Sequence, residues 1–387
     1  MSDTITPIHA SATAREISRQ PDVWLEAAQK ITGQRPDLDA FLTPLLANPQ
    51  LRIILTGAGT SAFVGDTAAP ALTKLLGRRV DSVATTDIVS NPHQYLGEDL
   101  PTLLVSYARS GNSPESTAAT VLADDVLTDV HHLIITCDQA GSLYRQHQDD
   151  PKSKIVLMPT RANDEGFAMT SSFTSMLLST LLIFGGDDDR AVTALARTVE
   201  NIVTHRQDEL RQLAGASYER VIYLGSGPLT GLARESALKL LELTAGRIVT
   251  YYDSALGFRH GPKAVLNDRT LTLVYMSSDT YTRRYDQDIV TEIRSTLGAD
   301  HVIAISSEPM PDEDGRNWVL AELTGVNDAF LAVAYIVIAQ LLGLSFSVAL
   351  GLTPDNPFPN GTVNRVVKGV TIHPLAPSDD EHTNGGR

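Results

Sequence analysis

Three charged side chains in one stretch have the types and spacing needed to move protons. Lys239 and Glu242 stand three apart in the otherwise apolar run ALKLLEL, and His260 follows in RHGP. A carboxylate and an imidazole from neighbouring elements are the usual pieces for proton transfer to and from carbon and oxygen. By spacing alone, Glu235, Lys239 and Glu242 read equally well as an ion-pair ladder on a solvated helix face. The neighbours Ala237, Leu238, Leu240, Leu241 and Leu243 argue instead for a largely buried helix, where a carboxylate is not casual. His260, taken alone, is as readily structural, but Gly261-Pro262 places it on a loop, where functional residues concentrate.

A second set of residues could hold an anion. In RSGNSPES, Ser110, Asn112 and Ser113 supply hydroxyl and amide donors, and Gly111 lets the backbone close in. Pro114 suits a first helical position, which makes Ser113 the cap. The free N–H groups and dipole of such a helix favour a phosphate. An ordinary capped turn fits the same string, but Ser61 on the parallel loop Gly57-Ala-Gly59-Thr60-Ser61 suggests a two-loop cradle. GAGTSA also fits a dinucleotide fingerprint, with Asp81 as the ribose acid. Against that, Asp81 falls at the start of a strand, and the corresponding GSGPLTG breaks the spacing.

The elements that must position these residues follow an α/β pattern. Strands are expected at Leu51–Leu55, Val80–Ala84, Leu103–Tyr107, Leu133–Thr136 and Ile155–Met158, alternating with helices, the last from Thr170 to Phe184. That alternation predicts a parallel sheet covered on both faces. The pattern then restarts. RIILTGAG from Arg52 superposes on RVIYLGSG from Arg220, with Ala69 on Ala237 and Leu72 on Leu240, and a later strand returns at Leu271–Met276. This is an internal duplication. The halves divide the labour: SGNS follows the third strand of the first, SSDTY that of the second, and only the second carries Glu242 and His260. The expected organisation is a helical segment over 1–45, a phosphate-binding half over 46–186, a linking helix within 187–213, a catalytic half over 214–350 and a C-terminal loop and tail over 351–387.

Composition narrows the partners. The chain of 387 residues carries a net charge of −15, which argues against nucleic acid or an anionic membrane surface. One cysteine, Cys137, fits a reducing, cytoplasmic setting, and no signal peptide is visible. The uncharged run 329–353 is long enough to cross a bilayer, but it lacks a basic belt and contains Gln340, Ser345 and Ser347. It reads as a buried helix followed by a short strand. No cluster of His, Cys and acids suggests a metal.

The strings LTGAGTSAF, RSGNSPES, GFAMTSS, ARESALK, GFRHGPK and GTVNRVV together resemble the sugar isomerase (SIS) domain family. The likeness extends to the isomerase half of glucosamine-6-phosphate synthase and is stronger to the AgaS branch of amino-sugar catabolism. It implies tandem SIS domains, a sugar-phosphate substrate, no cofactor, and a homodimer with shared sites. It places the 6-phosphate on Ser61, Ser110 and Ser113, with Asn112 as a further phosphate contact and Arg109, a glutamine in the synthase, as an added charged grip. Gly59, Thr60, Thr170 and Ser171 would lie beside the sugar. Glu242 would shuttle a proton between C2 and C1, with Lys239 beside it. His260, reaching in from a neighbouring subunit, would open the ring, and Lys368 would approach the open chain. With no glutaminase domain ahead of the sugar domains, the expected reaction is removal of nitrogen: galactosamine 6-phosphate to tagatose 6-phosphate and ammonia. Plain aldose–ketose isomerisation, glucosamine-6-phosphate deamination, a dehydrogenase and a non-catalytic sugar-phosphate sensor are the alternatives. A sensor would carry a helix-turn-helix module, for which residues 1–45 are too short and too little basic.

Overall fold

The computed structural model describes residues 11–310, 315–367 and 369–375. Two helices come first, α1 (Ala12–Ser18) and α2 (Gln20–Leu46); α2 is one continuous helix rather than two amphipathic pieces, with Pro36 and Pro44 inside it. The first half then runs β1 (Arg52–Thr56), α3 (Thr60–Leu76), β2 (Val80–Ser82), α4 (Thr85–Ser90), α5 (Pro92–Tyr95), β3 (Thr102–Ala108) and α6 (Pro114–Val126). It continues through β4 (Val130–Thr136), α7 (Ser142–His147), β5 (Ser153–Leu157) and α8 (Ser171–Gly185). Its five strands are parallel in the order β2-β1-β3-β4-β5.

The expected linking helix is two, α9 (Asp189–His205) and α10 (Gln207–Gly215), broken at Arg206. The second half has β6 (Arg220–Gly225), α11 (Pro228–Leu243), β7 (Val249–Asp253), β8 (Thr270–Tyr275), α12 (Thr282–Leu297), β9 (Val302–Ser306), β10 (Arg316–Val319) and α13 (Asp328–Ala349). These five strands are also parallel, ordered β10-β9-β8-β6-β7. Arg52 pairs with Thr102 in one sheet and Arg220 with Thr270 in the other, so the duplication seen in the sequence is a duplication of register.

Strands buried on both faces need nearly continuous apolar runs, which is why β1, β3, β6 and β8 stand out. The two halves join where α3 and α11 cross. Gly231 permits that approach, since a Cβ there would sit 2.6 Å from the Thr67 nitrogen. Asp66 and Arg234 bridge the crossing at 2.8 Å. Each of these helices starts on its own half's glycine loop and ends at the other half's site.

The uncharged run forms α13 as far as Ala349, and among the described residues no strand follows it; the chain turns at Leu350–Gly351 instead. Among the described residues α13 is the one helix long and apolar enough to cross a membrane, and its apolar window is entirely covered by protein. An uncharged helix enclosed by the helices α11, α10, α9 and α8 needs no lipid.

Candidate active site

The glycine loop after β1 turns sharply. Gly59 has φ 56° and ψ −128°, a conformation open to glycine, and it delivers Thr60 and Ser61 onto the first turn of α3. The loop after β3 brings Arg109, Ser110, Gly111 and Ser113 to the start of α6. Because β1 and β3 are neighbours whose connections leave on opposite sides, their C-terminal ends open a crevice. The crevice is a cavity of about 230 Å³ lined by both loops, by Glu242 from α11 and by residues 363–367 of the C-terminal tail.

Two helix N-termini converge there with unengaged hydroxyls. Ser113 occupies the cap position of α6, but its side chain makes no capping bond. Among the described residues no protein group bonds the hydroxyls of Ser61, Ser113 or Ser116, all of which line the cavity. The Ser110 hydroxyl accepts from the Asn112 amide at 3.3 Å. Donors left open around a pocket are what an incoming phosphate requires.

Opposite them lies a charged network in a fully buried place. Lys239 has no exposed surface; its Nζ donates to Glu242 Oε2 at 2.6 Å and to the Thr60 hydroxyl at 3.0 Å, and lies 3.4 Å from Glu235 Oε1. Thr60 in turn donates to Glu235 at 3.3 Å. Burial pushes the Glu235 carboxyl up to about 8 against the pull of Lys239. Burial works against the Lys239 ammonium as well, but Glu235 and Glu242 outweigh it and hold its pKa above the ordinary value. Glu235 is therefore protonated at neutral pH beside a charged Lys239, and Glu242 keeps 23% of its side chain exposed. The ladder is therefore internal, and Glu235 is the member whose importance was hidden by an apparently solvated spacing. Its signal was present: positions 235, 239 and 242 share one helix face.

Other expected residues stand elsewhere. Thr170 and Ser171 are fully buried and do not line the cavity. The Thr170 hydroxyl donates to Asp164 at 2.9 Å and that of Ser171 to the Glu16 carbonyl at 2.9 Å. Asp164 caps α8, accepting also from the backbone of Thr170, Ser171 and Ser172. These hydroxyls shape the loop behind the site rather than face it. Asn112 is exposed, and its Oδ1 accepts from the backbone and hydroxyl of Ser142 at the start of α7, bracing the loop after β3 from outside. Arg109 lines the cavity, but its guanidinium donates to the carbonyls of Phe167 and Arg365. Burial, then the neighbouring Arg365, lowers its pKa. His260 is exposed and does not line the cavity of its own chain. Lys368 lies outside the described residues. Sequence reading missed Glu16 and Arg365, whose contacts span more than a hundred residues and leave no local pattern, and Asp164, which caps a helix only six to eight residues on.

The second half has a counterpart cavity of about 650 Å³ in which Pro228, Ser278 and Asp279 stand where Thr60, Ser110 and Gly111 stand in the first, and Lys74 where Glu242 stands. Its larger volume does not make it the anion seat. Asp328 accepts from the hydroxyl of Ser277 at 2.6 Å and from the amide and hydroxyl of Ser278 at 2.6 and 2.7 Å. Asp286 takes the Ser226 hydroxyl and the Ser277 amide. The chain's own carboxylates fill the donors that the first half leaves open.

Residues 45–185 match the SIS domain, and the chain belongs to the SIS sugar-isomerase family. Within it, the relatives carry the name AgaS. One from Streptomyces coelicolor is 54% identical over 95% of this chain and 97% of its own. The D-galactosamine-6-phosphate deaminase AgaS of Shewanella sp. strain ANA-3 is 43% identical over 96% of this chain and 94% of its own. The crystal structure of tagatose-6-phosphate ketose/aldose isomerase from Escherichia coli superposes with a TM-score of 0.88 at 42% identity, covering 95% and 98% of the two chains.

Proposed function

We propose that this chain is a deaminating isomerase that converts galactosamine 6-phosphate into tagatose 6-phosphate and ammonium. One observation carries the reading: the unengaged hydroxyls of Ser61, Ser113 and Ser116 share a single cavity with the exposed edge of Glu242. The names of the AgaS relatives supply the substrate class. The first half, 46–186, grips the phosphate; the second, 214–350, supplies the proton chemistry.

The 6-phosphate sits on Ser61, Ser110 and Ser113 at the N-termini of α3 and α6, where backbone N–H groups add to the hydroxyls. Glu242 takes the C2 proton of the open-chain aldehyde while O1 gains a proton, giving an enolamine. Glu242 then returns its proton to C1. The resulting C2 imine is hydrolysed: water supplies the ketone oxygen and nitrogen leaves as ammonium, so the ammonium sugar and water account for both products. Lys239 aims Glu242, and Thr60 holds Lys239 in place.

Ring opening falls to His260 of a second copy, with the enzyme acting in the cytoplasm as a homodimer. Support for the dimer comes from Val249 and Tyr251 on β7, the edge strand of its sheet, with Leu241 of α11 and Leu256 in the loop that leads to His260, all 37–50% exposed. An apolar sheet edge of this kind calls for a cover. Isomerisation without loss of nitrogen is the second reading, favoured by the likeness to the E. coli isomerase structure. Ammonium and ketose released from galactosamine and glucosamine 6-phosphates decide between them. The proposal expects equimolar ammonium and ketose from the galacto epimer. Ketose formed only from nitrogen-free aldose phosphates would refute it.

A further inference from the structure

The tail segment that roofs the cavity packs weakly on its own account. Pro354 and Pro357 are buried, and the Phe358 ring lies 5.3 Å from that of Phe167, but residues 359–365 are all exposed. A segment with so little apolar burial is held by whatever polar contacts it makes. Its root is tied to α1: Asp355 accepts from the amides of Ala12 and Thr13 and from the Thr13 hydroxyl, each at 2.8 Å. Its far end is tied by two arginines. The Arg109 side chain donates to the Arg365 carbonyl at 2.8 Å and to the Phe167 carbonyl at 3.2 Å. The Arg365 side chain runs the opposite way, donating to the Gly166 carbonyl at 3.2 Å and to the Asp164 carbonyl. The loop they both grip is braced from behind, since Glu16 accepts from the amides of Glu165 at 2.6 Å and Gly166 at 3.2 Å.

We infer that Arg109 and Arg365 are positioning residues whose interlocked guanidinium groups fasten residues 363–367 over the substrate, Arg109 acting through the Arg365 carbonyl rather than as a phosphate ligand. The geometry favours this assignment because the guanidinium spans two backbone segments, Gly166–Phe167 on one side and Arg365 on the other. Both terminal nitrogens of Arg109 are committed to backbone carbonyls in a fork that a lysine cannot reproduce, and the residue is only 7% exposed. The first half's phosphate seat is already supplied with hydroxyls and helix N-termini, so it does not need the guanidinium. Two like charges are tolerated side by side because carbonyls meet both, and Asp164 and Glu242 offset them at Arg109. The inference rests on the reading of the cavity as the substrate seat.

The test uses full-length Arg109→Lys, Arg109→Gln, Arg365→Ala and the Arg109→Lys/Arg365→Ala double variant. Three quantities are read: hydrogen exchange of the 355–367 segment, kcat/KM for the sugar phosphate, and inhibition by inorganic phosphate, which fills the seat without needing a roof. A fastening role predicts that each single variant speeds exchange of the segment and lowers kcat/KM by roughly tenfold or more. The phosphate inhibition constant should move less than about threefold, and the double variant should be little worse than the worse single, because both break one unit. Arg109→Gln that weakens phosphate inhibition more than tenfold with unchanged segment exchange would make Arg109 a direct ligand and overturn the inference. Fully multiplicative losses in the double variant would do the same. Should the Arg109 variants not fold, Arg365→Ala carries the test, since its side chain lies on an exposed segment; unchanged exchange there refutes the fastening. If phosphate does not inhibit the wild type, the seat reading fails, while segment exchange still judges the arginines.

Discussion

Replacing Glu235 by glutamine should change how stability depends on pH more than it changes the fold. The wild-type carboxyl is fully buried, with one oxygen near Lys239 and Thr60 and the other, Oε2, without a partner. Glutamine keeps the shape and an acceptor for Thr60, and cannot ionise. Burial raises the carboxyl from 4.5 to about 8. Between those values the native state holds a proton that the unfolded chain has released. The stability due to the raised pKa is therefore complete below pH 4.5, declines as pH rises, and is lost above about 8. At 1.36 kcal/mol per pH unit, Glu235 removes on the order of 3 kcal/mol between pH 5.5 and 8. Urea unfolding of wild type and Glu235→Gln at pH 5.5, 7 and 8 reads this directly, as a gap that widens in the variant's favour by about that amount. Parallel curves would mean that Glu235 is ionised throughout, as half of an ordinary ion pair with Lys239, and the protonation scheme of the site would be wrong.

Other expectations follow from the same physics. His147 is buried against His132, ring centroids 4.6 Å apart; its Nδ1 bonds Ser153 at 2.8 Å and its Nε2 has no partner. Burial first, then His132, lowers its pKa to about 4, with Asp124 and Asp150 opposing. Its stabilising contribution is therefore present above about 6.5 and lost as pH falls through about 4, by up to about 3 kcal/mol, and His147→Phe should flatten that acid limb in thermal melts. Ser61→Ala and Ser113→Ala should each raise KM roughly tenfold or more, the worth of a hydrogen bond to a charged group, with melting temperature little changed. Normal KM in both variants would exclude them from the phosphate seat.

Much of this architecture was legible in the residues because its signals are local. Fully buried parallel strands demand β-branched runs, and RIILTGAG and RVIYLGSG repeat one such unit together with the loop that follows. The difference between the halves was legible too, since SGNS and SSDTY differ in residues that leave donors open or close them. What escaped depends on distance along the chain. Nothing near Ser171 announces that the Glu16 carbonyl will take its hydroxyl, so it read as a sugar contact; for Thr170 the nearby cap, Asp164, was simply not recognised. Arg109 looked like a grip for an anion because the carbonyl of Arg365 comes to it from the far end of the chain. Glu235 looked half-solvated because the spacing of charges on a helix does not tell which face a second domain covers. The uncharged run after Asp328 suggested a helix and then a strand, whereas burial among α11, α10 and α9 favours continuing one helix to Ala349.

The account depends on Glu242 carrying a proton from C2 to C1 of a sugar whose phosphate is held by the other half of the chain. The direct measurement is turnover of galactosamine 6-phosphate in D2O by wild type and Glu242→Gln, following ammonium, ketose and deuterium at C1. Wild type should release ammonium and ketose in equal amounts, with C1 deuterium at or below one atom per ketose. The variant should lose two to four orders of magnitude in kcat with KM within about threefold. A glutamine variant that retains most of its turnover would show that the proton travels by another group and would contradict the account.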